Sequence, residues 1–341
     1  ASVATQEWLV LRTVVDRRIA GALCAAVVLV GTCLFGPASV SASPSQSFDQ
    51  WLAGVRSEAK QHGISDKTLD AAFDGVKPIP RVVELDRNQP EFRLKFDEYL
   101  GRVVTQGRIA TGRRLMKEHA ALLDKVSAKY GVQKRFIVAL WGVETDFGRI
   151  TGGFPVIAAL ATLAYDGRRS AFFRKELMLA LEILEQGHIA PSEMKGSWAG
   201  AMGQSQFMPS SFHRFAVDYD GDGHKDIWGT LPDVFGSIAR YLSQSGWRDD
   251  ITWGREVQLP ESFDRKLIGL ETKKEISAWQ ALGVRKPGGR DLQASVVEVT
   301  ERSGNARHFL AYQDFEVILK WNRSTYFAIA VGTLADALDA R

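Results

Sequence analysis

Apolar residues recur every three to four positions along most of this chain, the spacing of a helix face. Phe48, Leu52, Val55 and Ala59 predict a helix over 48–61, with Gly63 as its stop. A second, over 65–73, is closed by Gly75 and Pro78, and Pro80 and Pro90 bracket a segment expected to run over the surface. Phe92, Phe96 and Tyr99 predict helix over 92–100. Leu115, Leu122, Leu123 and Val126 predict one long helix over 113–130, ended by Gly131. An Ala-rich helix over 156–165 follows, then a stripe of Phe173, Leu177, Ala180, Leu181 and Leu184 over 170–184, then a helix over 231–241. Glu176, Glu182 and Glu185 read as solvated charges on the second of these.

The texture changes near Asp250. Residues 253–259 and 295–300 alternate and carry β-branched side chains, and 309–321 holds a further candidate strand. Pro260, Gly288 and Gly289 punctuate a small β-rich region with one short helix over 274–282. A closing helix over 324–340 turns Phe327, Val331, Leu334 and Leu338 inward. The fold class is α+β, mainly α. The expected domains are 1–42, a leader; 43–130, helical; 131–249, the core; 250–321, β-rich; and 322–341, a helix returning to the core.

One stripe is broken by a charge. Ile137, Leu140 and Trp141 share a face, and Glu144 comes next in the series, near the end of a buried helix. Burial disfavours the charged form of a carboxyl, so its pKa is expected to rise, as suits a general acid. A core Glu paired with an arginine, or capping a neighbouring helix, fits the periodicity equally well. Asp146, two residues on, points elsewhere if the helix continues. Small residues crowd 198–208, reading either as tight helix packing or as close approach to a ligand. Trp141, Trp198 and Phe207 fit core, or a sugar-stacking groove.

Composition narrows the function classes. The 341 residues carry 43 basic and 40 acidic side chains, no electrostatic case for nucleic acid. Arg12, Arg17 and Arg18 precede an apolar stretch from Ile19 to Phe35, and Val40-Ser-Ala42 offers a cleavage point. That predicts an exported protein, with an uncleaved anchor as the alternative and a lipid-modified Cys33 disfavoured because Thr32 is large for a lipoprotein box. Both cysteines, Cys24 and Cys33, fall in this leader, so the mature chain has no disulfide, thiol nucleophile or Cys-bound zinc. No Gly-x-Ser-x-Gly, Walker or His-Glu-x-x-His motif occurs, and the six histidines are scattered.

Asp218-Tyr-Asp-Gly-Asp-Gly-His-Lys-Asp226 matches the start of a calcium loop. Asp218, Asp220 and Asp222 hold its first, third and fifth positions, Gly223 the turn, and His224 the position that binds through its carbonyl. Asp226 takes the ninth position. Gly229 stands where a bidentate Glu belongs, leaving Asp233 as the closing carboxylate of a longer loop. All-oxygen ligands favour a hard cation, Ca2+, over zinc. No organic cofactor is expected.

Four stretches together carry a resemblance: Trp141-Gly-Val-Glu-Thr-Asp-Phe-Gly148, Ser197 through Ser211, Asp218 through Trp228, and Asn322-Arg-Ser-Thr-Tyr326. In order and spacing they resemble the lytic murein transglycosylase B family, from Phe48 to the C-terminus. The resemblance implies a lysozyme-like core with a helical domain and a small β-domain. It implies cleavage of the β-1,4 bond between N-acetylmuramic acid and N-acetylglucosamine, leaving 1,6-anhydro ends. Glu144 would be the single acid and then base. Ser197 and Gln206 would line the glycan groove, Tyr99 and Tyr326 would flank the carboxyl, and Arg168 and Arg169 would face the peptide stem. The calcium would be structural. Peptidoglycan strands are the expected partner of a monomer, with cell-wall remodelling complexes as candidate partners. A hydrolytic muramidase on the same fold, or a non-catalytic wall- or calcium-binding protein, are the alternatives.

Overall fold

Ser47 begins the first helix with a capping box. Its hydroxyl accepts the Gln50 N–H at 3.3 Å, while Gln50 Oε1 accepts the Ser47 N–H at 3.3 Å. The computed structural model describes residues 46–88, 94–285 and 290–339. The leader, its cleavage point and both cysteines lie outside the described residues.

The helices in chain order are α1 (Phe48–Gln61), α2 (Asp66–Phe73), α3 (Pro80–Asn88), α4 (Phe96–Val103), α5 (Gln106–Glu118), α6 (Ala120–Tyr130) and α7 (Lys134–Thr145). After strand β1 (Phe154–Pro155) come α8 (Val156–Asp166) and α9 (Ser170–Glu185); after β2 (Lys195–Gly196) come α10 (Pro209–Phe215) and α11 (Leu231–Gln244). The later part holds β3 (Gly254–Val257), β4 (Lys274–Glu275), α12 (Ile276–Ala281), β5 (Gln293–Thr300), β6 (Ala306–Ala311), α13 (Gln313–Trp321) and α14 (Thr325–Asp339). The architecture is mainly helical with a minor sheet, as the periodicity predicts.

Helix α7 is wrapped by α5, α6, α11 and α14, and nine of its residues are buried. This is why its apolar pattern spreads beyond one stripe. The four-stranded antiparallel sheet has the order β3-β6-β5-β4. It is covered on both faces. Val297, Val299, Phe309 and Ala311 pack into the main core, while Ala294, Val296, Leu310 and Tyr312 join a second cluster around Trp279.

Five expectations are corrected. The predicted helix over 113–130 is two helices, bent at His119, whose ring packs 6.4 Å from Trp141 and 6.0 Å from Phe235. Residues 313–321 are helix, since the strand has already ended at Ala311. The segment after Pro80 forms α3 rather than a surface run, its Val82 and Leu85 buried. The helix expected from Phe92 starts at Phe96, and residues 92–93 lie outside the described ones. Glu176 is not solvated either: it is buried and accepts the Ser210 N–H at 2.9 Å, capping α10 from a neighbouring helix. Burial pushes its carboxyl up, against that hydrogen bond.

Asp314 anchors the start of α13. It is fully enclosed, accepts the Arg248 N–H at 2.9 Å through Oδ1, and has no partner at Oδ2. Burial pushes its carboxyl from 3.8 up to about 8; the Arg248 N–H and guanidinium oppose the rise, and Asp250 and Asp249 add to it. The native state therefore holds a proton that the unfolded chain releases. The carboxyl's stabilising contribution is complete below about pH 4 and is lost as pH rises through 8. Asp314→Asn stays neutral throughout. Its melting temperature relative to the parent should climb in the variant's favour between pH 4 and 8, then level off. A difference that does not vary with pH would refute the assignment.

Candidate active site

Helix α7 stops one residue after Glu144, in an unusual way. Asp146, Phe147 and Gly148 take consecutive φ values of +50°, +61° and +79°. The first two are side-chain-bearing residues in the left-handed region, which costs energy unless neighbours enforce it. Several do. The Asp146 N–H reaches the Gly142 carbonyl at 3.0 Å, and the Phe147 N–H reaches that of Trp141 at 3.2 Å. The Phe147 ring fills space left by glycines on two helices: a Cβ on Gly142 would meet it at 2.7 Å and one on Gly112 at 3.1 Å. Thr145 Oγ1 accepts the Gly148 N–H at 3.0 Å and donates toward the carbonyls of Trp141 and Gln204.

The turn leaves Glu144 only 5% exposed. The indole Nε1–H of Trp321, last residue of α13, donates to Glu144 Oε1. Trp321 is itself held between Tyr241 and Phe207, with ring centres 4.6 and 5.4 Å away. Tyr99 lies close enough that, after burial, the charge of Glu144 is the next force raising its hydroxyl pKa. Tyr326 sits 5.9 Å from Tyr99, ring to ring, and is half-buried. Asp146 points away from Glu144's partners, accepting from Arg108 Nε at 3.3 Å and from Arg149.

The small residues after Trp198 form a folded loop, not a helix. Gly203 takes φ +64°, and a Cβ there would meet the Ile227 carbonyl at 2.5 Å. Within this loop Gln204 is a pivot. Its Oε1 accepts from Trp141 Nε1 at 2.7 Å and its Nε2 donates to the Trp228 carbonyl at 2.9 Å. The loop thereby joins the end of α7 to the end of the acidic loop. In that loop the carboxylate oxygens of Asp218, Asp220 and Asp222 lie within 4.8 Å of one another. Burial works against the charge on Asp218, yet N–H groups of Gly223, Gly221 and Asp222 hold its pKa below the usual carboxylate range. Three oxygen donors converging at the surface fit a hard divalent cation.

Residues 47–336 match the family described as transglycosylase SLT domain. The membrane-bound lytic murein transglycosylase B of Escherichia coli K12 is 32% identical over 292 residues, 82% of this chain and 79% of that protein. Among solved structures, SltB3 of Pseudomonas aeruginosa in complex with NAG-NAM-pentapeptide is 43% identical with a TM-score of 0.83, over 87% of this chain and 80% of that one. Escherichia coli Slt35 in complex with calcium is 30% identical with a TM-score of 0.74, over 88% and 94%. The chain belongs to the transglycosylase SLT domain family. Its core is accordingly lysozyme-like.

On this SLT core, Glu144, Tyr99 and Tyr326 come together. Ser197 and Gln206 are buried in the loop beside them. Ser197 Oγ accepts the Ala201 N–H at 3.0 Å, and Gln206 Nε2 donates to the carbonyls of Thr151 and Gly203, each at 2.9 Å. Trp141, Trp198 and Phe207 are core, not an open platform. Arg168 and Arg169 both engage the buried Asp86 of α3, tying it to the turn between α8 and α9. His224 is exposed, and its N–H is bonded to Asp222 Oδ1 at 2.8 Å. Asp233 stands outside the three-carboxylate group. Its two oxygens accept the N–H groups of Tyr219 and Asp226, each at 2.7 Å, so it supports the loop from beneath. Burial pushes it up to about 6 against those bonds. Sequence reasoning missed Trp321 and Gln204. Trp321 directly precedes the Asn322–Tyr326 motif, and Gln204 lies inside the small-residue loop, so their positions were the available signal.

Gly148 tests the turn. A Cβ there would sit 2.2 Å from Gln204 Oε1 at a positive φ. Gly148→Ala should lower unfolding free energy by roughly 2–4 kcal/mol, from left-handed strain and overpacking together. Urea denaturation measures it, and a loss below about 0.5 kcal/mol, the scale of an ordinary surface change, would show that the turn is not under this constraint.

Proposed function

We propose that this chain is a lytic murein transglycosylase that cleaves the MurNAc-β-1,4-GlcNAc bond of peptidoglycan without adding water, using Glu144 alone. The observation that carries the reading is the enclosure of Glu144 at the strained end of α7, with Trp321 donating to one oxygen. The named activities of its relatives, and the NAG-NAM-pentapeptide and NAG-anhNAM-pentapeptide complexes of SltB3, point the same way.

In the proposed reaction Glu144 gives its proton to the glycosidic oxygen as the bond to C1 breaks. It then takes the proton of the muramoyl C6 hydroxyl while that oxygen closes on C1. The proton gained equals the proton given, and the nucleophile belongs to the substrate. Hydrolytic glycosidases commonly use two carboxyls, one to activate water or attack carbon. The sequence's other nearby carboxyl, Asp146, is engaged by Arg108 and Arg149, which supports a one-carboxyl scheme. Tyr99 and Tyr326 would shape the site around the acid, and Ser197 and Gln206 would fix the loop bordering the glycan. Arg168 and Arg169, through the partly exposed Arg168, would reach the peptide stem. The place of action would be the periplasm; no helix among the described residues is long and apolar enough to cross a membrane.

The bond made by the muramoyl oxygen sets the decisive measurement. Mass analysis of digested peptidoglycan should find muramoyl ends lighter by one water, and hydrated ends would instead make the protein a muramidase. Glu144→Gln keeps an acceptor for the Trp321 N–H and removes the proton, so turnover should fall about 10³-fold. Unchanged turnover would remove Glu144 from the mechanism, and an inactive parent would favour a wall-binding role.

Calcium is proposed as a structural ion held by Asp218, Asp220, Asp222 and the His224 carbonyl, with Asp233 bracing the loop beneath them rather than closing the ligand set. Binding stabilises the folded state by about 2.7 kcal/mol at a calcium level one hundred times Kd. Chelation should therefore lower the melting temperature by several degrees and leave turnover well below melting unchanged. Loss of turnover at unchanged stability would give the ion a catalytic role instead.

A further inference from the structure

The two ends of α7 meet different surroundings. Glu144 lies near its C-terminal end. A cavity of about 670 Å3 opens at its N-terminal end, about 15 Å back along the axis. Gln133, Lys134 and Arg135 form one wall, Asp249 to Thr252 a second, and Arg255, Arg290 and Tyr312 a third. The cavity thus sits where the β-sheet region meets the helices.

Most charges lining it are already matched. Lys134 is 2.6 Å from Asp124, Arg135 3.0 Å from Asp336, and Arg290 2.6 Å from Asp250. Two are not. Among the described residues, no carboxylate lies within 4.0 Å of the half-buried Arg255, and no cation lies within 4.0 Å of Asp249 at the exposed rim. The Arg255 guanidinium rests 5.7 Å from the centre of the Tyr312 ring, and its Nε is enclosed without an acceptor. Tyr312 is 1% exposed. Burial raises the pKa of its hydroxyl and the facing Arg255 opposes the rise, but the hydroxyl has no hydrogen bond of good geometry. Helix α7 adds its own positive end. The Gln133 side chain makes no cap bond, because its Oε1 accepts from Trp247 Nε1 at 2.7 Å, while its amide donates to the carbonyls of Asp249 and Ile251 at 2.8 and 2.9 Å.

We infer that this cavity binds a small zwitterion, an amino acid or the free end of a short peptide, with its carboxylate at Arg255 and Tyr312 and its ammonium at Asp249. Enclosed donors without acceptors cost stability, and a carboxylate oxygen is the acceptor that suits a guanidinium and a phenol together. A simple anion such as phosphate would meet Arg255 but be repelled at the rim by Asp249. A ligand carrying both charges suits a cavity that both groups line, and the volume takes one to a few residues. The site is separate from Glu144 and stands whichever reaction Glu144 performs.

Titration of the full chain by calorimetry, or by NMR of the indole N–H signals, tests this with alanylalanine, its N-acetyl derivative, its C-terminal amide, free alanine and inorganic phosphate. Alanylalanine should bind in the millimolar range, and blocking either end should weaken it about tenfold or more. Tighter binding of the dipeptide identifies a peptide end, and equal binding of alanine identifies an amino acid. Arg255→Gln and Tyr312→Phe should each weaken the dipeptide by about the same factor, with Arg255→Lys recovering part. Asp249→Asn, at an exposed position where folding is safe, should weaken the dipeptide but not the acetylated form. Failure of alanylalanine and alanine to bind, equal binding of the acetylated peptide, or competition by phosphate would overturn the proposal.

Discussion

A helix that must end one residue after a buried carboxyl is the constraint on which the rest of this structure depends. Left-handed residues bearing side chains cost on the order of 1–2 kcal/mol each, and Asp146 and Phe147 occupy that region in succession. Such a conformation persists only where surroundings over-determine it. Here the surroundings come from far along the chain. Gly112 on α5 and Gly142 on α7 leave the notch that the Phe147 ring fills, and Leu338 of α14 closes its edge. Remove the notch and nothing compels the backbone to turn after Thr145.

The same turn organises the loops. Gln204 accepts from Trp141, offers its carbonyl to Thr145 and donates to the carbonyl of Trp228. One side chain thus couples the helix carrying the acid to the segment that leaves the acidic loop. Asp233 then ties that loop to α11 through the N–H groups of Tyr219 and Asp226. A cation bound at Asp218, Asp220 and Asp222 would stiffen a loop whose far end is two hydrogen bonds from α7. The link is mechanical: the acidic loop and the Glu144 turn are joined through the hydrogen bonds of Gln204 rather than by a shared site.

Local signals in the sequence were legible where the physics is local. The helix beginning at Phe48, the stop at Gly131 and the inward stripe of α14 all follow from neighbours within a few positions. Glu144 announced itself because a charge broke an apolar series. What could not be read depends on partners distant in sequence. The bend at His119 has no Gly or Pro to mark it; the ring turns there because Trp141 and Phe235 receive it. Glu176 looked solvated because its partner, the Ser210 N–H, belongs to another helix. Residues 313–321 carry an apolar density that suits a strand or a buried helix alike, and only packing against α14 decides. Trp321 meets Glu144 across 177 positions, a separation no spacing rule spans.

The two carboxyls of this turn meet contrasting surroundings. Asp146 is held by two guanidiniums, from Arg108 on α5 and Arg149 just beyond the turn. These guanidiniums neutralise, on the spot, a negative charge two residues from Glu144. Glu144 receives from Trp321 an uncharged N–H, which orients an oxygen without adding a countercharge of its own. The left-handed turn is what keeps these two environments apart. Had α7 continued for another turn, Asp146 would have remained on the helix surface, and its arginines would have had no reason to meet there.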